Sequence, residues 1–372
     1  MTRRCLVVSA VNFTEGGPIT VLRDFVAAAC AVLPSEWRIV VFLHDTALLQ
    51  TDRAELVAIP YARASWLRRL KVEWHEFRAH AERLQPDLWV SLHDISPNVG
   101  RFRQAVYCHN PSCFFRLGLR DALFEPSLLL FQLAYSVLYR IRLKRNCAII
   151  VQQSWLRDRF RRWAADATRI IVAHPSTIAA GAGRPLRTRA GSEPVTFFYP
   201  ALPRPFKNFE LICAAVERLE CEPRWQSRVL LTIDGAENRY SRWLVGRYSK
   251  LRTVRFIGRQ TRAQMDELYA STDCLIFPSR METWGLPISE AKSAGLPMFI
   301  ADLDYARETV GSYAAVDFID VADPAALAAK LLAFQLGTFS FRATTLDPPA
   351  APYVRDWPAL IEYLRALTDI AP

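Results

Sequence analysis

The sequence lacks a hydrophobic run long enough to cross a membrane. Its most apolar stretch, residues 127–139, is shorter than the ~20 residues that a spanning helix needs. The apolar segment 5–8 follows two arginines, as in a signal peptide, but it is too short and leads into a polar loop. We therefore interpret it as a first buried strand, and we expect a protein of the cytoplasm.

Paired cysteines are also missing. The eight cysteines lie scattered at positions 5, 30, 108, 113, 147, 213, 221 and 274, and none forms a Cys-x-x-Cys pair. This spacing argues against a disulfide or zinc framework and predicts reduced thiols, several of them inside apolar strands.

The C-terminal half has no excess of either charge, so the whole net charge of +10 lies in the N-terminal half. Residues 1–185 contain 25 basic and 15 acidic side chains, whereas residues 186–372 contain 22 of each. A basic half suits nucleic acid, an anionic membrane surface or a phosphorylated substrate. No nucleic-acid reader motif accompanies the charge, so we expect no nucleic-acid partner and keep that class as a lesser alternative.

The length of 372 residues favours two domains over a single core. A strand at 4–11, a turn with Gly16 and Gly17, and a helix at 19–33 form the opening of a Rossmann-like half. Glycines in such a turn let a ligand approach the backbone closely. Gly181, Gly183 and Pro185 indicate a linker, which places the domain boundary near 185–192.

Two histidines follow predicted strands of the N-terminal half, after a charged helix predicted at 65–83. His93 follows the strand 86–92, and His109 ends the strand 104–109. Open α/β sheets bind ligands at the carboxyl ends of their strands, so either histidine is a candidate site residue. We favour His109, because the Asn-Pro that follows begins a loop.

Residues 113–145 combine aromatic and apolar side chains with a basic end. This pattern fits a face that rests on anionic lipid headgroups. It fits equally an ordinary core helix with a solvated basic end, and the sequence leaves both interpretations open.

The rest of the chain is organised around residues 277–295, FPSRMETWGLPISEAKSAG. An apolar strand ends there, a turn containing Gly285 follows, and a helix begins with Pro287 in its first turn. A helix N-terminus offers free N–H groups and a positive dipole end, which suit phosphate. Glu282 before the helix and Glu290 within it can accept hydrogen bonds from sugar or ribose hydroxyls.

This stretch resembles the signature of retaining GT-B glycosyltransferases in the family "glycosyl transferases group 1" (family 4). That signature places two glutamates eight residues apart among fixed small and apolar positions. The matching residues are Pro278, Ser279, Glu282, Gly285, Leu286, Pro287, Glu290, Ala291, Gly295 and Pro297. The resemblance covers residues 190–372 well and residues 1–185 in layout only.

The resemblance implies an α/β fold of the GT-B type, with two Rossmann-like domains facing across a cleft. Residues 1–185 would form the acceptor domain, and residues 192–352 would form the nucleotide-sugar-binding domain. Residues 353–372 would form a helix that crosses back to the N-terminal domain.

The resemblance also implies roles for individual residues. Arg204 and Lys207 would hold the donor diphosphate, and Glu282 would bind the hydroxyls of the sugar. Glu290 would bind the ribose, and His109 would reach the transferred sugar from the N-terminal domain. The other implied donor-binding positions are Gly16, Gly17, Gly258, Arg259, Thr283, Trp284, Gly285 and Leu286.

The implied reaction is retaining transfer from a nucleotide sugar to a lipid-linked or oligosaccharide acceptor in bacterial surface polysaccharide (O-antigen) synthesis. We mildly favour GDP-linked mannose or a deoxyhexose, and a peripheral position on the inner membrane face. Asp302 and Asp304 imitate a metal-binding motif of another glycosyltransferase class, but cations and a helix dipole already supply positive charge, so we expect no metal or cofactor. A GT-B nucleotide-sugar epimerase remains an alternative.

Overall fold

The computed structural model describes residues 4–14, 17–115, 118–175 and 194–369. These residues fold into two compact units. The first contains Met1–Phe114, Leu133–Ser176 and Pro349–Pro372, and the second contains Phe115–Gln132 and Thr177–Pro348. The predicted linker near 185–192 and Gly16 lie outside the described residues.

The first unit is built on an eight-stranded parallel sheet. Its strands are β1 (Cys5–Ser9), β2 (Arg38–Leu43), β3 (Glu55–Ala58), β4 (Leu88–Ser91), β5 (Gln104–Cys108), β6 (Ala148–Val151), β7 (Arg169–Ala173) and β15 (Tyr353–Val354). Their order in the sheet is β15-β7-β6-β5-β4-β1-β2-β3. The central strands are Val- and Ile-rich without alternation, because both faces of a parallel sheet are covered by helices.

Helices cover the first sheet on both faces. They are α1 (Gly17–Val32), α2 (Trp66–Lys71), α3 (Phe77–Leu84), α6 (Ser154–Arg161) and α13 (Trp357–Thr368). On one face the α13 residue Trp357 packs edge-on against Phe25 of α1, with ring centroids 5.9 Å apart. On the other face Phe77 of α3 packs against Trp89 of β4 at 4.9 Å.

The predicted helix at 65–83 is interrupted in the structure. Between α2 and α3 the chain forms a π-helical turn, Val72–Glu76, which differs from the continuous helix expected from the sequence. The insertion turns Glu73 inward, where its side chain is completely buried. Such π-bulges are rare and are often found at functional sites.

The second unit is a seven-stranded sheet of order β10-β9-β8-β11-β12-β13-β14. Its strands are β8 (Thr196–Tyr199), β9 (Arg228–Leu231), β10 (Val254–Phe256), β11 (Cys274–Phe277), β12 (Met298–Ala301), β13 (Tyr313–Ile319) and β14 (Arg342–Thr344). Its helices are α7 (Phe209–Leu219), α8 (Arg239–Tyr248), α9 (Arg262–Ser271), α10 (Leu286–Ser293), α11 (Asp304–Val310) and α12 (Pro324–Gln335). All strand pairs are parallel except β13 with β14.

Two helices of the 113–145 region complete the fold, α4 (Leu119–Phe124) and α5 (Pro126–Leu138). The partition predicted from the sequence placed this region wholly in the N-terminal domain, whereas Phe115–Gln132 packs with the second unit. The physical reason is aromatic contact, because Phe124 lies 5.5 Å from Tyr240 and 5.0 Å from Trp243. Within the described residues, no helix is both long and apolar enough to cross a membrane.

Candidate functional site

The turn between β11 and α10 is the centre of the candidate site in the second unit. Gly285 stands immediately before α10 with a left-handed backbone, φ +85°. A Cβ there would lie 3.4 Å from both Ile288 and Phe277, a close contact, and the left-handed backbone itself favours glycine. Pro287 occupies the first turn of α10, where no intrahelical N–H is needed. The sequence-predicted strand, glycine turn and helix start are therefore all present.

Trp284 and its neighbours hold this turn in place. The buried indole of Trp284 donates from Nε1 to Ser289 Oγ at 3.0 Å. The backbone carbonyl of Trp284 accepts a hydrogen bond from the Thr309 hydroxyl. Thr283 is half-buried and Leu286 is exposed at the start of the helix. The start of α10 is thus held by contacts on both sides of Gly285.

Lys207 and Glu282 form an ion pair at this turn. Lys207 Nζ donates to Glu282 Oε1, and both side chains are mostly but not wholly buried. Lys207 ends the short helical turn Pro205–Lys207 that follows β8, and its carbonyl accepts from Tyr199 Oη at 2.6 Å. The chain therefore brings together a cation and a carboxylate that are 75 positions apart.

Arg204 lies at the start of the same helical turn and is paired with a residue that the sequence analysis did not single out. Its Nη1 donates to Glu125, which follows α4. A second link joins the same segments, because Arg280 Nη2 lies 2.5 Å from Asp121 of α4 and 3.0 Å from the Pro205 carbonyl. Arg280 stands inside the motif stretch, but its partners come from a distant insertion, so only the structure identifies them.

Glu290 points from α10 towards α9. Its Oε2 accepts from Tyr269 Oη at 2.7 Å, and its Oε1 lies 2.5 Å from Arg262 Nη1. Burial, together with the negative charge of Glu290, raises the pKa of Tyr269 well above its ordinary value, so this phenol stays a donor. The carboxylate is oriented by two groups and keeps partial exposure.

The turn after β10 passes close to the side chain of Asp234. Gly258 has φ +68°, and a Cβ at this position would lie 2.9 Å from Asp234 Oδ2. Arg259 next to it is exposed. Asp234 accepts from the N–H of Ala236 at 2.8 Å, and Glu237 Oε1 accepts from the N–H of Asp234 at 2.9 Å. This loop is therefore ordered by carboxylates within the second unit.

In the first unit, His109 directly follows β5, and Asp94 holds the loop that it begins. Asp94 Oδ1 accepts from the backbone N–H groups of His109 and Asn110, at 2.7 and 3.1 Å. It also accepts from Tyr139 Oη at 2.9 Å and lies 3.5 Å from His109 Nδ1. Asp94 itself has φ +72°, a strained conformation for a non-glycine residue.

His93, the alternative histidine, lies in a fully buried polar cluster instead. Its Nδ1 lies 3.3 Å from both Arg69 Nη2 and Glu73 Oε1. Arg69 Nε donates to Glu73 Oε1 at 2.7 Å. Burial lowers the pKa of His93 well below its ordinary value, so the ring is neutral. His109 keeps 19% of its side chain exposed, whereas His93 keeps none, so only His109 can contact a ligand without rearrangement.

Gly17, the other glycine predicted for the first loop, is the first residue of α1. A Cβ at Gly17 would contact nothing within 4 Å, so the structure shows no steric requirement for glycine there. The sequence analysis did not single out Asp94 or Tyr139. Their signal was weak, since an Asp after a strand is common and Tyr139 lies 45 positions away from Asp94.

No group of three or more His, Cys, Asp or Glu side chains suited to a metal occurs in the part of the chain that the structure describes. Asp302, the first carboxylate of the metal-like pattern, accepts from Arg307 Nε at 2.8 Å. Asp304 begins α11.

Comparisons with known proteins identify the family and the fold that this chain resembles. Residues 187–336 match the family model described as "Glycosyl transferases group 1". The chain is 30% identical over 129 residues to the O-antigen chain mannosyltransferase B of Escherichia coli. This match covers 34% of the chain and 33% of the relative, so it spans about a third of each protein. The resemblance inferred from the two-glutamate motif is confirmed.

Solved structures are similar over nearly the whole chain. A sucrose-phosphate synthase from Thermosynechococcus elongatus superposes with a TM-score of 0.65 over 90% of both chains, at 17% identity. Anabaena HepE in complex with UDP-glucose superposes with a TM-score of 0.56 over 89% of both chains, at 15% identity. At these identities the likeness shows the fold, and it confirms the predicted GT-B fold class with its two α/β units.

Proposed function

We propose that the protein is a retaining glycosyltransferase that moves a sugar from a nucleotide-sugar donor to a glycan acceptor. The observation that carries the proposal is the paired arrangement of Lys207 with Glu282 beside the N-terminus of α10. A cation, a helix start and a hydroxyl-binding carboxylate are what a sugar diphosphate requires. The match of residues 187–336 to a glycosyltransferase family supports the same function.

In this proposal the donor replaces the ion pairs of the unliganded site. Its diphosphate binds Lys207 and Arg204, which releases Glu282 to accept hydrogen bonds from the sugar hydroxyls. Glu290, held by Tyr269 and Arg262, accepts from the ribose. As the glycosidic bond breaks, negative charge grows on the leaving diphosphate, and the two cations and the N–H groups at Gly285 stabilise it.

The acceptor attacks from the face that the diphosphate leaves, so the anomeric configuration is retained. The leaving phosphate oxygen takes the proton of the attacking hydroxyl, and no protein base is required. His109, held by Asp94 and edge-on to Phe13 at 5.6 Å, contacts the transferred sugar. Backbone contacts to the donor are proposed for Gly16, Gly17, Gly258 and Arg259.

One relative supports the proposed donor and acceptor. The E. coli relative is named as an O-antigen chain mannosyltransferase, so we favour a GDP-linked mannose or deoxyhexose and a lipid-linked surface polysaccharide acceptor. The enzyme would act at the cytoplasmic face of the inner membrane, where an anionic surface attracts the basic half of the chain.

We further propose that transfer needs no metal ion. Lys207 and Arg204 supply the charge that a metal would otherwise supply, and Asp302 is engaged with Arg307. Transfer assayed with EDTA should therefore match transfer assayed with added Mg²⁺ or Mn²⁺. A rate that collapses with EDTA and returns with one ion would contradict this part of the proposal.

A screen of UDP-, GDP-, dTDP- and CMP-linked sugars tests the function. Thermal stabilisation that rises with the concentration of one nucleotide class identifies the base, because a ligand that binds the native state raises the melting temperature. Mass spectrometry with glycan acceptors then reports the transferred sugar. A changed sugar released from the donor alone would indicate an epimerase instead, and no response to any nucleotide would contradict a donor site.

A further inference from the structure

Helix α5 is apolar around most of its circumference. One side is buried, through Leu128, Tyr135 and Leu138. The opposite side is exposed, yet it carries Leu130 at 70%, Leu133 at 60% and Val137 at 59% exposure. A surface helix normally presents polar side chains to water, so an apolar outer stripe indicates a surface made for contact. An ordinary core helix, the other interpretation of this sequence, does not account for it.

Helix α2 adds to this stripe. The Trp66 ring of α2 lies edge-on to Tyr135 of α5, with ring centroids 6.0 Å apart. The next residue, Leu67, is 80% exposed, the largest exposure of any large hydrophobic residue described. Helix α2 and the part of α5 that belongs to the first unit therefore present large apolar side chains to solvent beside one another.

Most exposed charges around these helices are positive; Glu76, five residues after α2, is half-buried and accepts from Tyr61 Oη. Exposed cations lie within α2 or in the segments that flank α2 and α5: Arg63, Arg68, Lys71, Arg140, Lys144 and Arg145. The nearest acidic residues before α5 are Asp121 and Glu125, and both are already ion-paired, with Arg280 and Arg204. The exposed apolar stripe thus has a positively charged border.

We propose that these side chains form a docking surface for an anionic lipid bilayer. The docking surface is defined as Trp66, Leu67, Arg68, Lys71, Leu133, Val137, Arg140 and Lys144, all of the first unit. The leucines and Val137 enter the headgroup boundary, and the cations pair with lipid phosphates. A second copy of this chain fits less well, because two faces bordered by like charge repel each other.

Co-flotation with vesicles tests the proposal on the full-length protein. Vesicles of phosphatidylcholine alone are compared with vesicles containing about one-third phosphatidylglycerol. The wild type should bind the anionic vesicles, and added salt should weaken that binding. The double variant Leu133→Asp/Val137→Asp should reduce binding about tenfold or more. The double variant Arg140→Glu/Lys144→Glu should also reduce binding about tenfold or more, because each lost cation costs about 1 kcal/mol or more.

Leu346→Asp is the matched control, because Leu346 is also an exposed leucine, at 46%, but lies outside the docking surface. It should bind vesicles like the wild type. Equal binding by the Leu133/Val137 variant would overturn the proposal, and so would a wild-type dimer that this variant converts to a monomer. Nucleotide-sugar binding, measured on the same variants, reports the donor site separately, so failure of one proposal is distinguishable from failure of the other.

Discussion

The two units prepare their candidate site residues in opposite ways. In the second unit the key carboxylates and cations face each other in partly exposed ion pairs, such as Lys207 with Glu282 and Arg204 with Glu125. In the first unit a buried aspartate, Asp94, gathers backbone N–H groups and a tyrosine hydroxyl behind His109. A ligand can displace the ion pairs of the second unit, whereas the hydrogen bonds of Asp94 hold the His109 loop in one position.

The two arrangements differ in the free energy that is needed to break them. A charged ligand can displace these pairs because it offers each partner a replacement, phosphate oxygens for the cations and hydroxyl donors for the carboxylate. A buried carboxylate that accepts several hydrogen bonds is expensive to disturb, because each abandoned donor loses about 1–3 kcal/mol. The second unit is therefore suited to exchange a ligand, and the first to hold a side chain at a defined position.

The largest effects should follow from breaking the exchangeable pair. Lys207→Ala and Glu282→Ala should each reduce transfer by about 100-fold or more, because each removes a group that stabilises donor or leaving group in the transition state. The measurement is the steady-state rate with the identified donor. Lys330→Ala is the matched control, since Lys330 is also ion-paired in the second unit, with Asp317. Near-normal rates in either site variant would remove that residue from the site.

Variants of His109 and Asp94 should show a different pattern of activity losses. His109→Ala should reduce transfer by about 10- to 100-fold, and Asp94→Asn by about tenfold, because the amide keeps the size of Asp94 but not its charge. The double variant should be no worse than His109→Ala, since Asp94 acts through His109. Nucleotide binding should be unchanged in all three. Additive losses in the double variant would contradict a positioning role for Asp94.

The buried cluster behind His93 should make stability depend on pH. Burial raises the pKa of Glu73 from 4.5 to about 7, against the opposing effect of Arg69. A carboxyl whose pKa is higher in the folded state contributes stability below pH 4.5, and this contribution is lost as the pH rises to about 7. The contribution of Glu73 to the free energy of unfolding should fall by about 3 kcal/mol over this window. Glu73→Gln should flatten the dependence in urea titrations, and the exposed Glu362→Gln should not.

The smallest effect should come from the turn itself. Gly285→Ala should destabilise the second unit by about 1 kcal/mol for the left-handed backbone, and further through contacts at 3.4 Å. Gly337→Ala has a similar φ of +69° but no neighbour within 4 Å, so it isolates the backbone cost. The comparison is made by thermal unfolding. A larger loss at Gly337 than at Gly285 would show that packing at the turn is unimportant.

The same contrast explains what the sequence could predict. One stretch of nine positions contains Glu282, Gly285 and Glu290, so a single local pattern predicts the strand, the turn and the helix there. Asp94, His109 and Tyr139 come from three separate elements, and only tertiary packing brings them together. Partners such as Glu125 and Asp121 were missed for the same reason, because their segment packs with the second unit although it precedes that unit's sheet in the chain.

An irregular turn within a helix is the other feature that the sequence did not predict. The π-helical turn Val72–Glu76 sits inside a stretch whose charge and apolar pattern predicts one continuous helix. A single inserted residue in a helix leaves no composition signal, and its consequence, the burial of Glu73, depends on Arg69 and His93. The parallel sheets, by contrast, follow from the alternation of apolar strands with helices.

The central claim is that the diphosphate binds the cations while Glu282 is freed for the sugar. It is tested most directly by calorimetric titration of Glu282→Gln with the free nucleoside diphosphate and with the corresponding nucleotide sugar. The diphosphate should bind to Glu282→Gln at least as tightly as to the wild type, because Lys207 has lost its competitor. The nucleotide sugar should bind about tenfold more weakly, through lost hydrogen bonds to a charged group. Equal weakening of both ligands would contradict the account.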